Sequence, residues 1–442
     1  MSHITTTDNN RGKLLSVLND DGEKIDYRTS AADINRISNR ELSEFYDEDN
    51  LLIFPSRLEE SADLLKKTRI CSFIKAEKPE GSILTTENIA GFIGINDTEL
   101  SITSRFSQGG EDYFLHYMIQ KVLNLNVTNL RFSSSADSVL NLLVYLFPRY
   151  LQNALRQGLY KEYQTFHRND ENVRGVIELP RHIKNNIPFE GKIAYKTRDY
   201  SFDNMMTELI RHTIEYIAER RDIACILSAS QEIRDAVKVI REETPLYNAE
   251  DRQKVIAAAL KNKRHPYFTY YAPLQKLCVQ ILLNKKIKLA RKKNKVYGIL
   301  FDVSWLWEQY LAIQLKASGF SHSDNRKGTG SISVLKNNIG RFIPDFYKAG
   351  FVIDAKYKQF DKSNPPADDL AQVIAYMHVL SIQKGGYMYP SKEQPSAATK
   401  LLGEIKGYGG TLYLFPVYIP QKCESFSEFV QAMEKQPAQD II

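Results

Sequence analysis

Cysteine is scarce in this 442-residue chain: Cys71, Cys225, Cys278 and Cys423 are widely scattered, with no Cys-x-x-Cys pair. None of the eight histidines stands at zinc-ligand spacing. These absences exclude a disulfide scaffold and a structural zinc, and point to a reducing, cytoplasmic setting. No apolar run reaches the roughly eighteen to twenty residues that cross a bilayer. The opening Met-Ser-His-Ile-Thr-Thr-Thr-Asp-Asn-Asn has neither the basic flank nor the apolar stretch of a signal peptide. A P-loop is missing too. Lys327-Gly-Thr-Gly330 and Gly407-Tyr-Gly-Gly410 lack the following lysine and hydroxyl, so no nucleotide is expected to bind this chain that way. No internal repeat or low-complexity segment is present.

What remains is a folded, multidomain chain. A hydrophobic content of 43% excludes disorder, and the length suits two or three domains. Short β-like runs (51–54, 69–74, 90–95 and 100–103) separated by turn residues predict a β-rich part over 1–130, built as a small barrel or sheet. Helical periodicity then dominates 131–285, through 136–158, 205–221 and 230–241, interrupted by strand-like pieces at 174–175 and 192–197. A third part, 286–442, mixes strands such as 385–389 and 409–415 with helices. The class expected is α+β. Net charge is only +6, yet Lys285 to Lys295 holds seven cations in eleven residues. Two readings of that run stay open, a phosphate-backbone contact and a solvated helix end.

The chemistry concentrates in Arg341-Phe-Ile-Pro344-Asp345-Phe-Tyr-Lys-Ala-Gly350-Phe-Val-Ile-Asp354-Ala-Lys356-Tyr-Lys358, two apolar strands around a tight turn. Alternation puts Asp354 and Lys356 on one face. If Ala349-Gly350 is a two-residue loop, residues 348 and 351 pair, and Asp345 falls opposite Asp354 with Cβ atoms roughly 5 Å apart. Facing carboxylates repel, and a divalent cation between them turns the liability into a site. Mg²⁺ takes one or two carboxylates and completes its shell with water and phosphate oxygens. Lysine then orients or helps deprotonate a water, or stabilises charge on a transferring phosphate. Pro-Asp followed within about twenty positions by acid-x-Lys arises by chance in roughly one chain in ten of this length, so the flanks decide.

Downstream, Asp368 to Leu380 has helical spacing, with Gln372 and Tyr376 one turn apart. Upstream, Val303 to Ile313 is a second amphipathic helix carrying Glu308 among aromatic and aliphatic residues, with Asp302 read as its cap. An acid on a helix, a Pro-Asp strand, an Asp-x-Lys strand and a Gln-x-x-x-Tyr helix together resemble the PD-(D/E)xK nuclease superfamily.

From Val296 to Met377 the chain is similar to the McrC family, the nuclease subunits of McrBC-type, 5-methylcytosine-specific restriction systems. The residues that carry this are Phe301-Asp302, Leu306-Trp307-Glu308, Pro344-Asp345, Asp354-Ala355-Lys356-Tyr357-Lys358, Gln372 and Tyr376. An earlier block, Gly158 to Tyr163, Asn172-Val-Arg174-Gly175-Val-Ile and Asp203-Asn204, is similar as well. The family tends to show a Pro-Lys or Pro-Arg pair after its first conserved strand, where this chain has Ile102-Thr103-Ser104-Arg105-Phe106 without the proline. The resemblance implies a C-terminal restriction-endonuclease-like domain and Mg²⁺-dependent cleavage of double-stranded, methylated DNA, with Mn²⁺ as substitute, in defence against foreign DNA. It implies Asp345, Asp354 and Lys356 as catalytic residues, with Glu308 and Gln372 in support. Metal ligands would be Asp345, Asp354, the Ala355 carbonyl and Glu308. It further implies a separate AAA+ GTPase partner, stimulated by this chain; segment 92–110 with Arg105 is a candidate contact, with a plain barrel loop as the other reading. Two-strand cutting implies dimerisation through complex assembly. Rival expectations are the nuclease subunit of a site-specific, multi-subunit restriction-modification enzyme and a non-catalytic regulator of an AAA+ protein.

Overall fold

The computed structural model describes residues 2–14, 17–18, 23, 28–45, 50–55, 69–74, 83–107, 112–123, 136–220, 223–261, 266–283, 296–323, 330–358, 360, 365–407 and 409–436. The basic run 285–295 lies outside the described residues. Helices and mixed sheets alternate along the chain, giving the expected α+β class. Among the described residues, no helix is long and apolar enough to cross a membrane.

The chain divides into two compact units, 1–141 together with 291–442, and 142–290. This differs from the expected division at 1–130, 131–285 and 286–442, and one strand explains the difference. Val296–Asp302, read as the entry to the third part, lies inside the N-terminal sheet, whose order is Val17–Leu18, Ser2–Thr7, Thr98–Thr103, Ile89–Ile95, Val296–Asp302, Asn50–Phe54. It runs antiparallel to Ile89–Ile95 and parallel to Asn50–Phe54. Gly298 makes that insertion feasible. Its φ is +145°, and a Cβ there would lie 2.2 Å from the Phe92 carbonyl oxygen, so only glycine suits the approach. The resulting core gathers Ile4, Ile53, Ile93, Leu100, Val296 and Leu300. Strand Ser2–Thr7 was not foreseen. Its signal is the β-branched run Ile4-Thr5-Thr6-Thr7 closed by an Asp8-Asn9-Asn10 turn.

A second sheet in the same unit has the order Ser321–His322, Phe346–Lys348, Phe351–Ala355, Lys384–Ser391, Thr411–Tyr418, Lys400–Glu404. Phe351–Ala355 runs parallel to Lys384–Ser391, and helix Ala367–Leu380 makes the crossover between them. That helix packs through Val373, Tyr376 and Met377 onto Val352, Tyr387 and Leu414. Each fully buried side chain of this kind contributes about 1.5–3 kcal/mol. Gly385 allows the close seating, since a Cβ there would lie 2.6 Å from Met377 Sδ.

The second unit has a helical core and a small exposed sheet. Helix Met205–Ala218 begins at a capping box in which Asn204 accepts from the N–H groups of Met206 and Thr207. It packs with helices Gln231–Glu242 and Tyr271–Leu283. The sheet orders Val176–Ile177, Ile193–Ser201 and Glu162–Asp170, the last a strand that the sequence reading did not separate from its surroundings.

Candidate active site

Three elements of the first unit bring the acid and lysine side chains together. In the hairpin Phe346–Lys348 and Phe351–Ala355, Lys348 pairs with Phe351 and Phe346 with Ile353, the register that the Ala349-Gly350 turn demands. Extending it by one residue sets Asp345 opposite Asp354. Strand Phe351–Ala355 is flanked on both sides, and its residues 351–354 are all buried, as a central strand requires. Asp354 itself is 1% exposed. It shares a face with Val352, which packs under helix Ala367–Leu380, so Lys356 reaches the same helix two residues on.

The lysine is held on several sides. Its Nζ lies 2.8 Å from Asp354 Oδ2 and 3.4 Å from an Asp369 carboxylate oxygen. It donates to Gln372 Oε1 at 3.0 Å. Gln372 in turn donates to the Tyr376 hydroxyl at 2.7 Å, and that hydroxyl donates to the Ile343 carbonyl at 3.1 Å. The Gln-x-x-x-Tyr pair thus ties the lysine to the segment that carries Asp345.

Asp345 Oδ2 accepts the Ala355 N–H at 2.8 Å. The next peptide is fixed as well, because Lys356 N–H donates to the Met388 carbonyl at 3.0 Å. In a trans peptide the Ala355 carbonyl points opposite that N–H, away from Met388 and toward the Asp345 side. Burial holds the Asp345 carboxyl well above the ordinary range, and the charges of Asp354 and Glu308 push it further. Burial raises Asp354 too, opposed by the Lys356 ammonium. For Lys356 itself, burial works downward, but Asp354, Asp369 and Asp345 outweigh it and raise the pKa.

Glu308 lies on helix Val303–Lys316, and its Oε1 is 3.6 Å from His322 Nε2. Asp302 caps that helix, accepting from the N–H groups of Ser304 and Trp305, as read from the sequence. Among the described residues, no group of three or more His, Cys, Asp or Glu side chains is arranged to hold a metal by itself. The donor set is an open one, two repelling carboxylates with a backbone carbonyl alongside. That suits Mg²⁺, which keeps waters and substrate phosphates in its shell.

Two residues near the site were not singled out. Asp369 bridges Lys356 and Lys358, the latter at 2.5 Å. Its signal was available, since Asp369 lies three residues before Gln372 on one helix face. His322 stacks on Phe346 at 4.9 Å between ring centroids, with Nδ1 3.0 Å from the Asp345 carbonyl oxygen. No spacing in the sequence announces it. Replacing Asp369 by asparagine is expected to slow any reaction that relies on Lys356 at this site by about tenfold or more, as misplacement of a reacting group does, read from initial rates at saturating substrate.

Arg105, read either as a candidate partner contact or as part of a plain barrel loop, has its side chain turned inward, with Nε and Nη2 donating to Asp8 Oδ2 at 2.9 and 2.6 Å, as the second reading expects.

The family profile described as "McrBC 5-methylcytosine restriction system component" matches residues 84–390. The chain belongs to the McrBC family. That match spans the residues on which the resemblance was drawn, from Gly158 to Met377. No curated protein matches the chain. One similar solved structure is a refined half-complex from a tetradecameric assembly of Thermococcus gammatolerans McrB AAA+ hexamers with bound McrC, at 15% identity and a TM-score of 0.46, covering 98% of this chain and 99% of that one. Another is the cryo-EM structure of the Thermococcus gammatolerans McrBC complex, at 15% identity and a TM-score of 0.29, covering 71% and 87%.

Proposed function

We propose that this McrBC-family chain is the endonuclease subunit of its restriction system, hydrolysing DNA phosphodiester bonds at a PD-(D/E)xK site. The observation that carries the reading is the meeting of Asp345, Asp354 and Lys356 around one peptide, with Gln372 fixing the lysine. Asp345, Asp354 and the Ala355 carbonyl would hold Mg²⁺ or Mn²⁺, with Glu308 in support. When bound, the ion polarises the phosphate and lowers the pKa of the attacking water. Lys356, kept cationic by its acidic neighbours, stabilises the charge that builds on the phosphate. Gln372 and Asp369 keep the ammonium from swinging out of line.

The partner in this reading is a separate AAA+ GTPase that recognises methylated DNA and whose hydrolysis this chain stimulates. It rests on family membership and on the lack of a P-loop in the sequence. The test combines this protein with the AAA+ protein encoded beside it, GTP or ATP, Mg²⁺, and matched methylated and unmethylated duplexes. Cutting of the methylated duplex alone is expected, and chelation of the metal abolishes it. Cutting of unmethylated DNA at a fixed sequence would move the chain to a site-specific restriction-modification enzyme. A stimulated GTPase with no cutting in any mixture would leave it a regulator.

A further inference from the structure

The residue after the lysine, Tyr357, is 5% exposed and belongs to a buried junction with the N-terminal sheet. Its hydroxyl lies 2.9 Å from Ser104 Oγ, a contact across 253 residues of sequence. The Arg105 guanidinium sits 4.9 Å above the Tyr357 ring, and the Phe106 ring packs edge-on at 5.4 Å. Three consecutive residues therefore grip one tyrosine. The turn that presents them is itself tied down. Ser104 N–H donates to Asp112 Oδ2, and Phe106 N–H donates to Ser104 Oγ at 3.0 Å. Arg105 reaches Asp8 through its backbone N–H and its guanidinium, and Asn88 through Nη2. Phe106 also packs on Phe114 at 5.7 Å, and Phe114 on Trp307 at 6.0 Å. Trp307 directly precedes Glu308.

We propose that the turn Ser104-Arg105-Phe106 is a positioning element of the nuclease site, locking Tyr357 so that the adjoining Lys356 is aimed at Asp354. Side chain 356 meets helix Ala367–Leu380 while side chain 357 meets the Ser104–Phe106 turn, so fixing the ring fixes the peptide from which the ammonium projects. A single planar guanidinium joins Asp8, Asn88 and the tyrosine face, a combination that a lysine cannot reproduce. The same turn reaches both motif segments, Tyr357 beside Lys356 and, through Phe114, Trp307 beside Glu308. The inference deepens the nuclease reading and rests on it for the word catalysis, but the aiming of Lys356 is measurable without any cutting.

The experiment compares the full-length protein with its Tyr357→Phe, Arg105→Gln and Arg105→Lys variants. Each is acetylated briefly at one pH with a water-soluble reagent, and Lys356 labelling is quantified by peptide mass spectrometry against Lys384 of the neighbouring strand. Tyr357→Phe keeps the ring and removes only the hydroxyl, so it reports even if an Arg105 variant folds poorly. Lys356 is expected to label about threefold faster or more in Tyr357→Phe and Arg105→Gln, the factor that loss of one net hydrogen bond sets, with Lys384 unchanged. Arg105→Lys is expected to restore only part of the protection. In the cleavage assay, kcat falls about tenfold or more while KM for DNA stays, as misplacement of a reacting group predicts. Unchanged Lys356 labelling in both Tyr357→Phe and Arg105→Gln, or equal acceleration at Lys384, overturns the proposal. Selective acceleration of Lys356 labelling in the variants of a parent protein that never cuts DNA supports the aiming role and sinks the nuclease reading instead.

Discussion

A Lys356→Ala protein, supplied with the proposed AAA+ partner, nucleotide and Mg²⁺, is expected to cut DNA at least about 10³-fold more slowly than the parent. The loss is large because the ammonium lies 2.8 Å from Asp354 and 3.4 Å from Asp369 while also bound to Gln372. In the proposed nuclease reading, alanine removes the charge that would meet the developing phosphate charge and takes the Lys356 counter-charge from the raised carboxyls of Asp345 and Asp354, with Lys358 still acting on Asp354. Initial rates on supercoiled plasmid, with partner binding checked by gel filtration, separate this from failed assembly. A variant that assembles and retains more than about a tenth of the parental rate takes the lysine out of the chemistry.

Stability of the second unit is expected to fall as pH drops from 6.5 toward 4, by on the order of 3 kcal/mol, through His212. This histidine is 1% exposed on helix Met205–Ala218, with its ring 4.7 Å from that of Tyr247. Burial, with help from the Arg252 charge, pushes its pKa down to about 4 from 6.5. The folded state thus keeps the ring neutral where the unfolded chain already binds a proton. The stabilisation is complete above 6.5, is lost progressively as pH falls, and levels off below 4. Urea melts followed at several pH values read the slope, and His212→Gln, which takes up no proton, is expected to flatten it. An unchanged slope in that variant would assign the acid sensitivity to other groups. In the first unit His116 adds in the same direction, its pKa pushed down to about 3 by burial.

Much of the site was legible because its parts are local. The Ala349-Gly350 turn fixed the pairing of Lys348 with Phe351, and helical spacing brought Gln372 and Tyr376 onto one face. Asp302 was readable as a cap from its place before an apolar periodic run. What escaped was non-local or disguised. Asp369 shares a helix face with Gln372, but its pairing with two lysines is a contact between separate segments that spacing alone does not give. The Ser104–Tyr357 contact has no sequence periodicity to announce it. Val296–Asp302 has the pattern of any buried strand, so its apolar run could not say which sheet it joins. Arg105 looked like a surface cation because nothing in its neighbourhood revealed Asp8 nearly a hundred residues earlier.

That late strand also sets a clock during synthesis. Ile89–Ile95 and Asn50–Phe54 leave the ribosome long before Val296–Asp302, and Asn50–Phe54 pairs with no other strand among the described residues. Since chains emerge N-terminus first, the N-terminal sheet stays divided until residue 302 is out. Glu308, Asp345, Asp354 and Lys356 all follow it, into a framework where Ser104 and Arg105 already wait. Any polypeptide broken off earlier carries none of the residues proposed to cut DNA, so in that reading interrupted translation releases only fragments without a nuclease site.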